Sequence, residues 1–160
     1  MLIDAWQNLR QPVPLKIVGD GPLVPRVQAA AEKLPHIQWL GRRPLPEVYK
    51  LMGEAMVLIF PSKWYETFGR VAVEAFAKGT PVIASNLGAI AELVEHGRTG
   101  LQFKPSDPIS LAEQVESLIS HPEKLPQMRR EARAEFEAKY TAQQNYEQLK
   151  SIYQLVLSKP

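Results

Sequence analysis

Two short apolar runs, Val57–Phe60 and Pro81–Ser85, constrain the fold of this chain more than any other feature. Each has the length and composition of a buried β-strand. Between them lie an aromatic-rich loop that closes at Gly69 and a predicted helix, Arg70–Lys78, which Gly79 ends. Two strands joined through one helix are predicted to lie parallel, with a right-handed crossover.

The same alternation of helix and strand continues along the sequence. Predicted strands also cover Leu15–Val18, Ile37–Leu40 and Leu101–Phe103. Predicted helices cover Leu2–Leu9, Val24–Leu34, Pro46–Met52, Ile90–Glu95, a segment that Asp107 caps, Glu123–Tyr140 and Ala142–Leu157. This spacing predicts an α/β fold, a Rossmann-like doubly wound parallel sheet with flanking helices. One such domain fits 160 residues, and the highly charged helix Glu123–Tyr140 is expected to be a solvated surface.

Composition excludes several kinds of protein. The chain has no cysteine, so disulfides and thiolate metal sites are excluded, and no cluster of metal-binding residues is visible in the sequence. No apolar run approaches the roughly 20 residues that a transmembrane helix requires. A formal net charge of +2 is too small to indicate a nucleic acid or a membrane surface as a partner. The start of the sequence lacks the basic and long apolar regions of a signal peptide, so a cytoplasmic location is expected.

The central unit carries two carboxylates with seven residues between them, Glu66 in the loop and Glu74 in the helix. The residues around them read FPSKWYETFGRVAVEAFAKGTPVIAS. This stretch resembles the E-x7-E motif and the usual FPS…EGFG…EA…G.PV.AS pattern of retaining GT-B glycosyltransferases, the "glycosyl transferases group 1" type. The resemblance is to their C-terminal, donor-binding domain, and it covers nearly the whole chain. Residues 88–92 depart from the pattern, since they read Gly-Ala-Ile-Ala-Glu where the family usually has Gly-Gly-x-Pro-Glu. A positive φ angle at residue 89 is therefore not expected.

The resemblance implies that the chain binds a nucleotide-sugar donor. Glu66 is then the catalytic carboxylate, which accepts hydrogen bonds from the sugar hydroxyls, and Glu74 accepts from the ribose hydroxyls. The helix start after Gly69 offers unpaired backbone N–H groups and the positive end of a helix dipole to the sugar and the phosphates. The other donor-binding residues that the resemblance implies are Gly19, Asp20, Arg42, Thr67, Phe68, Gly69 and Arg70. No metal ion or other cofactor is expected.

These residues also have structural interpretations. Glu74 lies four residues from both Arg70 and Lys78, which is the spacing of helix-surface ion pairs. Glu66 also suits the region before a helix as an ordinary loop carboxylate. Structural interpretations remain as well for the tight turn Gly19–Pro22, for the basic pair Arg42 and Arg43, and for Trp64 and Tyr65, where packing is preferred to stacking on a ligand.

The sequence opens on a helix, whereas a Rossmann-type half begins with a strand. In the family that the chain resembles, this strand ends in Gly-Arg and a Lys-Gly follows, and the Arg and Lys hold the donor pyrophosphate. In the usual strand order 3-2-1-4-5-6 the first strand is central, so Leu15–Val18 and Val57–Phe60 are expected to flank an empty slot. We therefore expect a fragment of a longer enzyme whose N-terminal acceptor-binding domain is missing. Such a fragment is expected to have negligible activity alone and to be able to self-associate through the slot.

Two other functions compete with glycosyl transfer. A dinucleotide-dependent oxidoreductase needs a G-x-G-x-x-G fingerprint, but only Gly19–Asp20–Gly21 matches it, and Val24 stands where the last glycine belongs. A non-catalytic module that binds a nucleotide sugar without turnover has the same sequence features as a donor domain. Binding measurements with UDP, GDP, ADP and NAD separate the oxidoreductase from the other two.

Overall fold

The computed structural model describes residues 1–158. Its strands are β1 (Leu15–Val18), β2 (Ile37–Gly41), β3 (Leu58–Phe60), β4 (Val82–Ser85) and β5 (Gly100–Phe103). Its α-helices are α1 (Leu2–Gln7), α2 (Val24–Lys33), α3 (Leu45–Glu54), α4 (Arg70–Ala77), α5 (Gly88–Leu93), α6 (Pro108–Ser120), α7 (Leu125–Lys139) and α8 (Ala142–Leu157). A short 3₁₀ helix, Pro122–Lys124, precedes α7. Helices and strands alternate from α1 to α6, which confirms the predicted α/β fold.

The strands form two parallel groups. β1 pairs with β2, and Leu15 lies opposite Ile37. β4 lies between β3 and β5, so that Val82 is opposite Leu58 on one side and Gly100 on the other. Within residues 1–158, no strand pairing connects β1 to β3. This interruption falls where the sequence predicted an empty slot.

A single apolar core nevertheless spans both groups of strands. Leu15 and Ile37 from the first group cluster with Ile83 and Phe103 from the second, and Trp6 of α1 belongs to the same cluster. All four residues of β4 are buried, whereas those of β3 are partly exposed. The difference follows from the pairing, because β4 has a strand on each side and β3 has one open edge.

A second apolar cluster holds α4, the helix that follows the central loop. Ala72 and Phe76 on its buried face pack with Val82 of β4, Ile90 of α5 and Ala132 of α7. The helix α4 is therefore packed against β4, α5 and α7. The first turn of α4 is therefore held in a defined position at the end of the loop that leaves β3.

Some element boundaries differ from the predicted ones. The helix α5 starts at Gly88 instead of Ile90, and α7 starts only after the 3₁₀ helix. Pro126 is the second residue of α7, a position where the missing proline N–H costs nothing. Within residues 1–158, Ser106 is the only non-glycine residue with a positive φ, so Ala89 does not have one, as expected from the sequence. No helix in this part of the chain has both the length and the apolar character that crossing a membrane demands.

Candidate functional site

The loop of residues 61–69 joins β3 to α4 and contains most of the residues that the sequence singled out. Gly69 ends the loop with a φ of 82°, a left-handed conformation that L side chains rarely adopt. A Cβ atom on Gly69 would also lie 2.9 Å from Cδ1 of Ile90, which is fully buried in α5. Glycine therefore lets the chain turn sharply into α4 while the loop stays close to α5.

The first turn of α4 presents backbone N–H groups that no side chain caps. The Gly69 carbonyl accepts from the N–H groups of Ala72 and Val73, at 2.9 and 3.4 Å. The N–H groups of Arg70 and Val71 come before these first intrahelical bonds. Unpaired N–H groups and the positive end of the helix dipole favour an anionic ligand at this position.

Glu66 is partly buried and is held by a serine of the same loop. Its Oε1 atom accepts a hydrogen bond from Oγ of Ser62 at 2.8 Å. The carbonyl of Ser62 in turn accepts from Oγ of Ser85, the buried last residue of β4, at 2.6 Å. The carboxylate of Glu66 is thus connected to the end of a core strand through two hydrogen bonds.

Glu74 lies on the second turn of α4, and its side chain is only 19 % exposed. Its Oε1 atom is 3.2 Å from Nε of Arg70, whose side chain is 81 % exposed. The ion pair that the (i, i+4) spacing allowed between Arg70 and Glu74 is therefore present. Lys78, at the same spacing on the other side, instead lies over the ring of Tyr49 at 5.2 Å from its centroid.

A second set of predicted residues lies where β1 and β2 end. The N–H of Gly19 donates to the carbonyl of Gly41 at 2.9 Å, so the turn after β1 lies beside the end of β2. The Asp20 carboxylate accepts from the N–H of Gly21 at 2.8 Å, and Arg42 follows β2 directly. This arrangement gives the turn a structural role and brings Asp20 and Arg42 to the same edge of the β1–β2 pair.

Arg43 takes the structural role that the sequence left open. Its Nη1 atom is 3.7 Å from Oε1 of Glu47 in the first turn of α3, which is an (i, i+4) ion pair.

The aromatic side chains of the loop are not core residues, contrary to the interpretation that the sequence favoured. Trp64 is 79 % exposed and Tyr65 is 80 % exposed. Part of Tyr65 does lie against α5, because a Cβ atom on Gly88 would be 3.0 Å from its ring. Phe68 is half exposed and meets Tyr140 edge to face, with ring centroids 6.1 Å apart. The loop therefore displays an aromatic surface next to Glu66.

The structure places the predicted donor residues in two sets. The loop and α4 hold Glu66, Thr67, Phe68, Gly69, Arg70 and Glu74. The ends of β1 and β2 hold Gly19, Asp20 and Arg42. Within residues 1–158, no hydrogen bond or ion pair links the two sets, and no strand pairing connects β1 to β3.

Sequence reasoning missed Ser62 and Ser85 as parts of this site. Ser62 was given no role of its own in the loop after the predicted strand Val57–Phe60, and Ser85 only that of the last residue of a buried strand. The available signal was that each small hydroxyl residue lies at the end of a predicted strand or just after it, at the edge of the sheet where ligands bind.

A family model described as glycosyl transferases group 1 matches residues 1–135 of the chain. An uncharacterized glycosyltransferase from Methanocaldococcus jannaschii is 37 % identical over 125 residues, which is 77 % of this chain and 35 % of that protein. The D-rhamnosyltransferase WbpZ from Pseudomonas aeruginosa is 34 % identical over 146 residues, covering 89 % of this chain and 38 % of that protein. The chain therefore spans little more than a third of the length of these relatives.

Among solved structures, the chain is similar to HepE from Anabaena, crystallised in complex with UDP and glucose. The two share 30 % sequence identity with a TM-score of 0.81, over 94 % of this chain and 44 % of HepE.

Proposed function

Because the chain belongs to the glycosyl transferases group 1 family, we propose that it is the donor-binding domain of a retaining glycosyltransferase. The intact protein would move a sugar from a nucleotide-sugar donor to an acceptor. The observation that carries this proposal is the loop and helix between β3 and β4, where Glu66, an uncapped helix start and Glu74 follow one another. The UDP and glucose present in the HepE crystal structure support a nucleotide sugar as the donor.

Each part of this unit has a task in the proposed reaction. Glu66 accepts hydrogen bonds from sugar hydroxyls and orients the ring. The N–H groups of Phe68, Gly69 and Arg70 donate to the sugar and to the diphosphate, whose charge grows as it leaves. Donors that are fixed before the reaction and aimed at developing charge usually make the largest contribution to catalysis. Glu74 accepts from the ribose hydroxyls, in competition with its ion pair to Arg70.

The second set of residues completes the donor site in this proposal. Gly19 and Asp20 approach the donor from the end of β1, and Arg42 lies near the base. They reach the loop and α4 across the slot between β1 and β3, which a further strand would fill. The proposed acceptor-binding domain is a partner of this one, and self-association through the slot is the alternative when that strand is absent.

The test is calorimetric titration of the chain with UDP, GDP, ADP and NAD. We expect binding of one nucleoside diphosphate in preference to NAD, and Glu74→Gln is expected to weaken it about tenfold. Glu113→Gln, a neutralised exposed carboxylate on α6, is the matched control and is expected to bind as the unmodified chain does. Preference for NAD, or equal affinities of the Glu74 and Glu113 variants, would contradict the proposal.

A non-catalytic module that binds a nucleotide sugar is the second candidate, and turnover by the intact protein separates the two. We expect negligible transfer by residues 1–160 alone, because acceptor groups are supplied by the proposed partner domain. Measurable transfer by this chain would overturn that expectation. The absence of a metal requirement and the cytoplasmic location stay predictions.

A further inference from the structure

We propose that Ser62 is a positioning residue that fixes the carboxylate of Glu66 for the donor sugar. The inference rests on the proposed function, since it assigns Glu66 to the sugar hydroxyls. It concerns a residue that touches no reacting atom and acts only through Glu66.

The backbone of Ser62 is anchored to the core. Ser62 follows β3 after one intervening residue, Pro61, and its carbonyl accepts the hydroxyl of Ser85 at 2.6 Å. Ser85 is fully buried at the end of β4, the strand that is paired on both sides. A residue held in this way has a defined position even though Lys63, Trp64 and Tyr65, which follow it, are exposed.

The hydroxyl of Ser62 has two acceptors within reach but only one proton to donate. Oε1 of Glu66 lies at 2.8 Å, and the carbonyl oxygen of Trp64 lies at 3.2 Å. A carboxylate at the shorter distance is the stronger acceptor, so the proton goes to Glu66. The N–H of Trp64 then donates to Oγ of Ser62 at 3.3 Å, which polarises the hydroxyl in the same direction.

The hydrogen bond from Ser62 leaves the second carboxylate oxygen of Glu66 for the ligand. Oε1 is occupied by Ser62, and no side chain or backbone group of residues 1–158 donates to Oε2. Fixing a free glutamate side chain costs rotamer entropy. Ser62 meets part of that cost before the sugar arrives, and such preorganisation increases affinity for the group being recognised.

The experiment compares the affinities of UDP and UDP-glucose for the chain by calorimetry. The ratio of the two dissociation constants measures the contribution of the sugar alone. Ser62→Ala is expected to reduce the advantage of UDP-glucose about three- to tenfold while it changes UDP affinity less than about twofold. Ser62→Thr keeps the hydroxyl and is expected to restore the ratio. Ser110→Ala removes a serine that accepts the N–H of Lys104 after β5, and it is the matched control with an unchanged ratio.

A double-mutant cycle separates positioning from simple support of the loop. In a Glu66→Ala background, Ser62→Ala is expected to leave this affinity ratio unchanged, because the side chain that Ser62 positions is gone. Two results would overturn the positioning role alone. One is an equal loss of UDP and UDP-glucose affinity in Ser62→Ala. The other is an equal fall in the ratio of the two dissociation constants whether or not Glu66 is present. No affinity of the unmodified chain for UDP, GDP, ADP or their glucose esters would overturn the proposed function, and the role of Ser62 with it.

Discussion

Gly97, in the turn before β5, and Gly100, the first residue of β5, are glycines for different physical reasons. Gly97 has a φ of 84° and nothing within 4 Å of the position that its Cβ would occupy. Gly100 needs no unusual φ, but its Cβ would lie 1.9 Å from the carbonyl oxygen of Val82 on the neighbouring strand. The backbone conformation requires the first glycine, and the space between β4 and β5 requires the second.

We expect Gly100→Ala to lower the free energy of unfolding by about 3 kcal/mol or more, because β4 and β5 would have to move apart. Gly97→Ala, in the turn that precedes β5, is the control, and its left-handed backbone alone is expected to cost about 1–2 kcal/mol. Urea denaturation of the two variants measures both losses. Equal losses would contradict the steric role of Gly100.

Single residues of the candidate site differ in how far the sequence could place them. Glu66 and Glu74 were assigned correctly to a loop and a helix, because a buried run and a loop-closing glycine determine where that helix starts. The Arg70–Glu74 pair followed from its spacing. The contact between Ser62 and Glu66 could not be predicted, since it depends on the folded path of the loop.

At the scale of elements, α7 is the helix whose role the sequence described wrongly. It was expected to be a solvated surface, but Met128, Ala132 and Glu135 are buried on one face. Alanine and methionine at this spacing give only a weak apolar stripe among many charged residues, so the sequence pattern does not predict the buried face. Arg133 donates to the carbonyl of Ala77 at the end of α4, which adds a polar contact beside that apolar face.

Arg129 connects α7 to the end of α3. Its guanidinium donates to the carbonyls of Gly53 and Ala55, at 2.9 and 2.8 Å. Arg129→Met is expected to lower the free energy of unfolding by about 1–2 kcal/mol, because a helix C-terminus loses two charge-assisted bonds. The exposed neighbour Arg130 is the control, and Arg130→Met is expected to cost less than about 0.5 kcal/mol. Thermal denaturation of both variants checks the difference, and similar midpoints would argue against the capping role.

Glu135 connects α7 to the turn before β5 and makes stability depend on pH. Burial acts to raise its pKa, but hydrogen bonds from Lys139 and Arg98 outweigh burial, so that the pKa lies below its ordinary value of 4.5. The hydrogen bond with Glu135 raises the pKa of Arg98, and so do the hydrogen bonds with Glu95 and Glu131, which also face it. Arg98 therefore stays cationic. Because the folded pKa is lowered, the stabilisation is complete above the unfolded value and is lost as pH falls through the folded one.

We therefore expect Glu135→Gln to lower the free energy of unfolding by about 2 kcal/mol at pH 7. The difference from the unmodified chain is expected to shrink as the pH falls from 4.5, the ordinary value, through the lowered pKa of the folded chain, because Glu135 is protonated first in the unfolded chain and then in the native one. Denaturation curves between neutral and acidic pH measure this, and Glu113→Gln, at an exposed position on α6, serves as the control. A difference that stays constant down to acidic pH would contradict the charged role of Glu135.

At the scale of the whole molecule, the order of helices and strands could be predicted because apolar runs alternate with amphipathic segments. The general strand order of doubly wound sheets also located the interruption between β1 and β3. The way in which one core spans the interruption could not be predicted, since it depends on side chains such as Trp6 that reach across from α1.

The interruption leaves β1 and β3 each with one side that pairs with no strand of residues 1–158. The N–H of Leu15 donates toward β2 and that of Leu58 toward β4, to the carbonyls of His36 and Pro81 at 2.8 and 2.9 Å. Successive amides of a strand point to opposite sides, so those of Lys16 and Ile59 point into the slot.

Hydrogen exchange followed by NMR tests whether the slot is open in solution. We expect the amides of Lys16 and Ile59 to exchange at least about tenfold faster than those of Leu15 and Leu58, because only the latter two have a strand partner. These neighbouring pairs are internal controls for local burial and for global unfolding. If protection of Lys16 and Ile59 rises with protein concentration, a second copy of the chain fills the slot, as self-association requires. Strong protection of both amides in dilute solution would show that β1 and β3 are joined there, and it would refute the open slot together with the role that the proposed function gives it.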